Sequence, residues 1–282
     1  MSSGIIFVAD WFSDEVNGGG ELNNDEFINL VKQSGIQIQQ IKSNNLTREI
    51  VKQTKDYHYM FGNFINVSPG VISEIIDTKI KYSIYEHDHK YLKKRDPSGY
   101  VNYVAPKDDL CNVEFYNGAV AIFCQSKLHS ETVEKNLDLK TIHNLSGNLW
   151  SSKSLDLLLD ISKNKKNNKV SIWNSSNPIK NTTKAVAYCR IKKLDYQLVG
   201  GLPYEMFLQE MGKNDCFMFF PETMETLCRV VVEARMMNMK TITNGVLGAT
   251  SEEWFSLKGK DLIDLMREKR ESIPKYILET IR

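Results

Sequence analysis

The sequence predicts an α/β protein made of two parallel-sheet lobes in tandem. Three observations predict it: short apolar runs that read as buried strands, helical segments alternating with them, and a mid-chain break after which the series restarts. Strands alternating with helices imply right-handed βαβ crossovers and hence parallel sheets. A length of 282 residues suits two domains of ordinary size.

Gly4-Ile5-Ile6-Phe7-Val8-Ala9 is a continuous apolar run, as a strand buried on both faces requires. Asn17-Gly18-Gly19-Gly20 follows, then a helical segment with Leu22, Phe27, Leu30 and Val31 near helical spacing, stopped by Gly35. Residues 36–41 read as the next strand, 47–55 as a short helix and 57–61 as a strand. Pro69-Gly70 opens a helix; residues 80–85 form a strand closed by Glu86-His87-Asp88-His89. Residues 119–124 are the clearest later strand, with a helix over 130–136 behind it.

From 146 to 168 the chain turns to Gly, Ser, Asn and Lys, with one helix-like run at 155–161, and reads as a linker. The series restarts with strands at 170–173, 195–199, 216–220 and 241–243. Between them lie helices at 179–190, from Pro203, and over 227–237. The expected organisation is a Rossmann-like lobe at 1–145, a linker at 146–168, a second Rossmann-like lobe at 169–260 and an amphipathic helix at 261–282 packing across the interface.

Composition narrows the function. Hydrophobic residues make up 41% and charged residues 25%, ordinary values for a globular chain. With 36 Lys+Arg against 35 Asp+Glu, the net charge of +1 argues against a nucleic-acid binder or a polybasic membrane-surface protein. No apolar stretch reaches the ~18 residues of a membrane span, and the N-terminus lacks the basic region of a signal peptide. Five cysteines, an odd number with no C-x-x-C pair, read as reduced thiols. The expected compartment is the cytoplasm.

Open α/β sheets bind ligands at the carboxyl ends of their strands. The strand at 216–220 ends at Pro221, then Glu222-Thr223-Met224-Glu225-Thr226, then an apolar helix containing Glu233. The first amides of a helix are unpaired and suit a phosphate, here offered at Thr226 to Cys228. Glu225 sits where it can accept hydroxyl hydrogen bonds. Glu233 interrupts an apolar run, and a buried carboxylate needs a partner. The plain structural alternative is an i,i+4 pair with Arg229.

The segment from Pro221 to Ala234 resembles the E-x7-E signature of retaining GT-B glycosyltransferases (glycosyl transferases group 1), with Glu225 and Glu233 as the two acids. Gly18-Gly19-Gly20-Glu21 resembles that family's glycine loop, His87-Asp88 its strand-end histidine motif, and Asn144 to Asn148 the turn leaving its first domain. Asn177-Pro178-Ile179-Lys180 resembles the loop carrying the donor-phosphate lysine, and Asn244-Gly245 a later strand-end loop.

The resemblance implies a GT-B fold of two Rossmann-like lobes with a cleft between them. It implies transfer of a sugar from a nucleotide-diphosphate donor (UDP, GDP or ADP) to a hydroxyl of a glycan or other acceptor, with retention and without a metal or other cofactor. In that reading Lys180 neutralises the diphosphate, Thr226 and Leu227 supply amides, and Glu233 accepts the ribose hydroxyls. Glu225 and His87 serve the transferred sugar. Gly18, Gly19 and Gly20 admit ligand close to the backbone, and Asn244 and Arg229 complete the donor set.

One departure stands out: the arginine expected a helical turn before the phosphate lysine is missing from Asn174-Ser175-Ser176-Asn177, leaving Arg229 or Lys184 to compensate. Glu86-x-Asp88 also echoes a D-x-D manganese motif, which the two-lobed context disfavours. The rival readings are a non-catalytic nucleotide- or glycan-binding protein on the same fold, and a sugar-nucleotide epimerase.

Overall fold

A computed structural model describes residues 4–16 and 18–282; Asn17, at the start of the predicted glycine turn, lies outside them. The chain divides into two compact units, one up to Leu149 together with Arg270–Arg282, the other Trp150–Lys269.

The first unit contains β1 (Ile5–Ala9), α1 (Gly19–Gln33), β2 (Ile38–Lys42), α2 (Arg48–Gln53), β3 (His58–Phe61), α3 (Pro69–Asp77), β4 (Tyr82–Tyr85), α4 (Val113–Asn117), β5 (Ala121–Cys124), α5 (Lys127–Leu137) and β6 (Ile142–Asn144). All strand pairings are parallel, in the order β2-β1-β3-β4-β5-β6. β1 is buried along its whole length, as its unbroken apolar run demands. One core layer, with Val8, Phe61, Ile84 and Ile122, lies on one face of the sheet. The other, with Phe7, Phe27, Met60 and Phe123, lies beneath α1.

The second unit contains α6 (Ser152–Lys163), β7 (Asn167–Trp173), α7 (Thr182–Lys192), β8 (Tyr196–Val199), α8 (Tyr204–Met211), β9 (Asn214–Phe219), α9 (Arg229–Met236), β10 (Lys240–Thr243) and the start of α10 (Gly259–Thr280). Its parallel sheet runs β10-β9-β7-β8. In both sheets the second strand lies on one side of the first and the third strand on the other. That reversal creates a switch point between β1 and β3, and another between β7 and β9, where loops diverge and leave a crevice.

Several boundaries differ from the sequence reading for local reasons. β2 begins at Ile38 rather than Ile36, because the turn closing α1 extends through Ile36, whose N–H donates to Val31. α5 begins at Lys127, since the Ser126 hydroxyl caps it by accepting from the His129 amide. The helix read over 179–190 is interrupted: Pro178–Lys180 is a separate 3-10 turn, and Asn181, left-handed at φ 54°, breaks it from α7. Within the stretch read as linker, α6 buries Leu155, Leu158 and Ile161, and β7 already begins at Asn167. The helix over 227–237 starts two residues later, after Cys228.

α10 is amphipathic along its length. Leu262, Ile263 and Met266 join the core of the second unit, whereas Ile273 and Ile277 join that of the first, where Arg270 Nε donates to Glu26 Oε1 at 2.8 Å. Among the described residues no helix is long and apolar enough to cross a membrane.

Candidate functional site

In the second unit the site grows from the two loops at the β7/β9 switch point. The loop after β7 carries the Pro178–Lys180 turn, and the loop after β9 begins with Phe220 and Pro221; the Glu222 amide donates to the Ile179 carbonyl at 2.9 Å and ties them together. Lys180 and Glu225 therefore meet: Nζ to Oε1 is 2.6 Å, with both side chains largely but not fully buried. The Lys180 ammonium also lies 5.4 Å from the Trp173 ring centroid, which favours the cation. Glu225 is held by its backbone, donating to the Val246 carbonyl and accepting from Gly248. Asn244 steadies the same loop, its amide donating to the Pro221 carbonyl at 2.7 Å. Its Oδ1 is buried and without a hydrogen-bond partner.

Glu233 lies one helical stretch beyond, only 2% exposed. Its Oε1 accepts from Trp150 Nε1 at 2.9 Å and from the Tyr204 hydroxyl at 2.7 Å. Arg229 Nε stands 3.7 Å from the same oxygen, and its guanidinium stacks 4.3 Å from the Trp150 ring centroid. The structural pairing weighed from the sequence is therefore present, as the longest of three contacts. Burial, with the Glu233 charge alongside, pushes the Tyr204 hydroxyl far above its ordinary value, so it stays a donor. Thr226 and Leu227 precede the helix rather than opening it, and the Leu227 side chain is fully buried in the core. The first helical amides thus belong to Arg229 and Val230.

In the first unit α1 rises directly from the glycines, and its first turns roof the end of β4. Gly20 and Asn24, four residues apart on one helix face, both meet His87: a Cβ on Gly20 would contact the ring at 3.4 Å, and Asn24 Oδ1 lies 2.5 Å from Nε2. Gln125 Nε2 lies 2.5 Å from the other ring nitrogen, and Tyr85 stacks beneath at 5.0 Å. An amide N–H directed at Nδ1 makes that nitrogen the acceptor and leaves the proton on Nε2, facing the Asn24 oxygen. Both nitrogens are occupied by this arrangement, which fixes the orientation of the ring. A side chain on Gly18 would run into Glu21. Glu21 itself is raised above its ordinary value by burial, with Asp25, Asp88 and Asp10 adding repulsion.

Beside His87 lies a buried charge network. Lys90, fully buried, donates to Glu86 Oε1 at 2.6 Å and Asp88 Oδ1 at 2.7 Å; Tyr116 donates to the other Glu86 oxygen, and Arg95 approaches Asp88 at 3.3 Å. Burial holds the Glu86 carboxyl above its ordinary value against the pull of Lys90. For Asp88 burial is outweighed by Lys90 and Arg95, and its value falls. An ammonium stands between the two acids of Glu86-x-Asp88, so these residues do not fit a manganese site. No group of three or more His, Cys, Asp or Glu side chains among the described residues is arranged to hold a metal.

Lys180, Glu225, Asn244, Arg229 and Glu233 thus share one corner of the second unit, while Gly18, Gly20 and His87 share one of the first. Sequence reasoning did not single out Trp150, Tyr204, Trp173, Asn24, Gln125 or Lys90. Trp150 and Tyr204 are 83 and 29 residues from the carboxylate they hold, beyond any spacing rule.

No protein-family model matches the chain, and no curated protein matches its sequence. Solved structures do. Alr3699/HepE of Anabaena, in complex with UDP and glucose, is 13% identical with a TM-score of 0.60, covering 99% of each chain. A UDP-forming α,α-trehalose-phosphate synthase from Burkholderia xenovorans is 7% identical with a TM-score of 0.52, covering 100% of this chain and 95% of that one. A UDP-GlcNAc 2-epimerase from Methanocaldococcus jannaschii, in complex with UDP-GlcNAc and UDP, is 11% identical with a TM-score of 0.50, covering 95% and 91%. At such identities the likeness defines the fold. The protein has the GT-B α/β fold, with parallel sheets of six and four strands and a helical C-terminal segment.

Proposed function

We propose that the protein is a glycosyltransferase that moves a sugar from a nucleoside diphosphate donor to a hydroxyl of a glycan or other acceptor, with retention and without a metal. The observation that carries this reading is the Lys180–Glu225 pair at 2.6 Å, set by loops at the β7/β9 switch point, with Glu233 eight residues on inside α9. Two neighbours in fold support it, one solved with UDP and glucose and the other a UDP-forming α,α-trehalose-phosphate synthase.

A leaving diphosphate must be neutralised as the bond to the sugar breaks. Lys180, exchanging Glu225 for phosphate oxygens, supplies a point charge, and the start of α9 adds the helix dipole. Glu225, freed of Lys180, accepts hydroxyls of the transferred sugar. Glu233 is fixed by Trp150, Tyr204 and Arg229, so its carboxylate is pre-organised to accept ribose hydroxyls. Asn244 Oδ1, buried without a partner, is a further acceptor. In the first unit Gly18, Gly19, Gly20 and His87 form the proposed ligand-facing set. The anomeric carbon's bond to the phosphate oxygen breaks, the acceptor oxygen bonds that carbon on the same face, and its proton passes to the departing phosphate. No protein nucleophile is needed. Free thiols, four of five buried, suit a reducing compartment such as the cytoplasm.

Glu233→Ala tests the assignment, with Glu233→Gln alongside because its amide oxygen can still accept from Trp150 and Tyr204. Loss of a charge-assisted pair of hydrogen bonds lowers nucleoside diphosphate affinity by about tenfold or more, while pyrophosphate binding is kept. Wild-type nucleotide affinity in both variants would make Glu233 a structural acid only. The epimerase neighbour is separated by product: transfer needs an acceptor, whereas epimerisation releases an altered sugar without one.

A further inference from the structure

The segment from Thr182 to Val199 carries four cations, Lys184, Arg190, Lys192 and Lys193, against one acid, Asp195. None of the four makes an ion pair among the described residues; elsewhere on the second unit lysines 153, 163, 213 and 240 have a carboxylate partner, whereas lysines 165, 169 and 258 do not, so it is the clustering of these four that sets the segment apart. Interleaved with them are apolar side chains that the fold covers only in part: Ile191 at 78% exposure, Leu198, Leu194 and Tyr188, whose ring also meets Phe220 edge-on.

Their placement follows from how α7 ends. Lys193 turns left-handed at φ 53°, its amide donating to the Arg190 carbonyl and that of Leu194 to Cys189, a Schellman closure. α7 buries Ala185 and Cys189 against the sheet, so Lys184, Tyr188 and Ile191, at i, i+4 and i+7, lie along its outer side. β8 is the edge strand of the sheet; Leu198, two residues from the core-packing Tyr196, lies on the same sheet face as α7.

We propose that this face is a peripheral binding surface for an anionic lipid bilayer, with Tyr188, Ile191 and Leu194 entering the headgroup boundary and the four cations meeting lipid phosphates and carboxylates. Protruding aliphatic and aromatic residues ringed by unpaired cations match such a surface in both chemistries. A second copy of this chain is the poorer occupant, because a twofold contact would set these cations against each other. The chain's near-zero net charge does not oppose the proposal, since the excess is local.

Vesicle co-sedimentation of the full chain is the test, comparing phosphatidylcholine alone with phosphatidylcholine containing about a third phosphatidylserine. Binding is expected only to the anionic vesicles, reversed by 0.5 M salt on the order of the screening expected. Each lysine at an anionic surface is worth about a fivefold change in partitioning. Lys192→Glu with Lys193→Glu therefore lowers it at least about 25-fold, Ile191→Ser lowers it several-fold, and Lys32→Glu with Lys258→Glu leaves it unchanged. Binding to neither vesicle, equal binding to both, or equal loss in the control pair would overturn the proposal. So would polyglutamate binding as tight as vesicle binding and indifferent to Ile191→Ser, which points to an acidic protein instead.

Discussion

Lys90→Met probes the buried charge network on either side of His87 in the chain. In the intact chain one fully buried ammonium serves two carboxylates at 2.6 and 2.7 Å. Removing one partner of a buried ion pair costs about 3–5 kcal/mol, because the remaining charge stays desolvated. At about 2–4 °C per kcal/mol for a chain near this size, melting of the first unit falls by roughly 6–20 °C at pH 7. The loss depends on pH. Without Lys90, Glu86 is pushed further above its ordinary value by burial, so its folded form binds a proton that the unfolded chain releases. That raised value makes the variant more stable below the window and less stable as pH rises through it, so the deficit against wild type is smaller at pH 5 than at pH 8. Lys90→Met with Glu86→Gln, which removes the buried charge, recovers part of the deficit at pH 8. Calorimetry at both pH values reads all three. A fall under 2 °C in Lys90→Met, or an identical deficit at pH 5 and pH 8, would refute the argument.

Other consequences follow from the same geometry. Lys180→Ala removes a charge from the proposed phosphate site, so titration calorimetry should show about a 10- to 100-fold loss for the nucleoside diphosphate and little for the nucleoside alone, in line with charged hydrogen bonds of ~1.5–3 kcal/mol; equal losses would remove the lysine from the diphosphate. His58 and His89 are both pushed down to about 4 from 6.5 by burial. Between those values the unfolded chain binds protons that the folded one refuses, so stability is lost as pH falls from about 6.5 toward 4, by up to ~3 kcal/mol per histidine. Urea titrations from pH 7 to pH 4.5 check this, and a flat midpoint counts against it. Gly20→Ala, in the first turn of α1, fits its Cβ against the His87 ring at 3.4 Å and gains about 0.5–1 kcal/mol of helix stability; a lower melting point would mean that the contact is a clash.

Much of the fold was legible because its signals are local. β1 is one apolar run, Pro69 opens α3 where proline is tolerated, and Cys216 to Glu233 reads as strand, loop and helix without help from the rest of the chain. β6 and α4, of three and five residues, are too short to carry a period. β6 exists because β5 offers a free edge, which is a property of the sheet. Asn181 split a predicted helix through one left-handed residue. In the proposed site, Glu225 and Glu233 stand out as acids, one after a strand end and one in an apolar helix, and Lys180 only through the family resemblance; that Lys180 and Glu225 meet is a finding of the structure. The supports of Glu233 were not legible: Trp150 and Tyr204 reach it only through tertiary folding, and a wholly buried lysine at position 90 runs against every compositional expectation.

A metal-independent donor site in the second unit, as proposed, is read out by titrating the intact protein with UDP, GDP and ADP in the presence of EDTA. Saturable binding of one of the three is expected, weakened in Lys180→Ala and Glu233→Ala. Binding of none, or binding that appears only when manganese replaces EDTA, would contradict it.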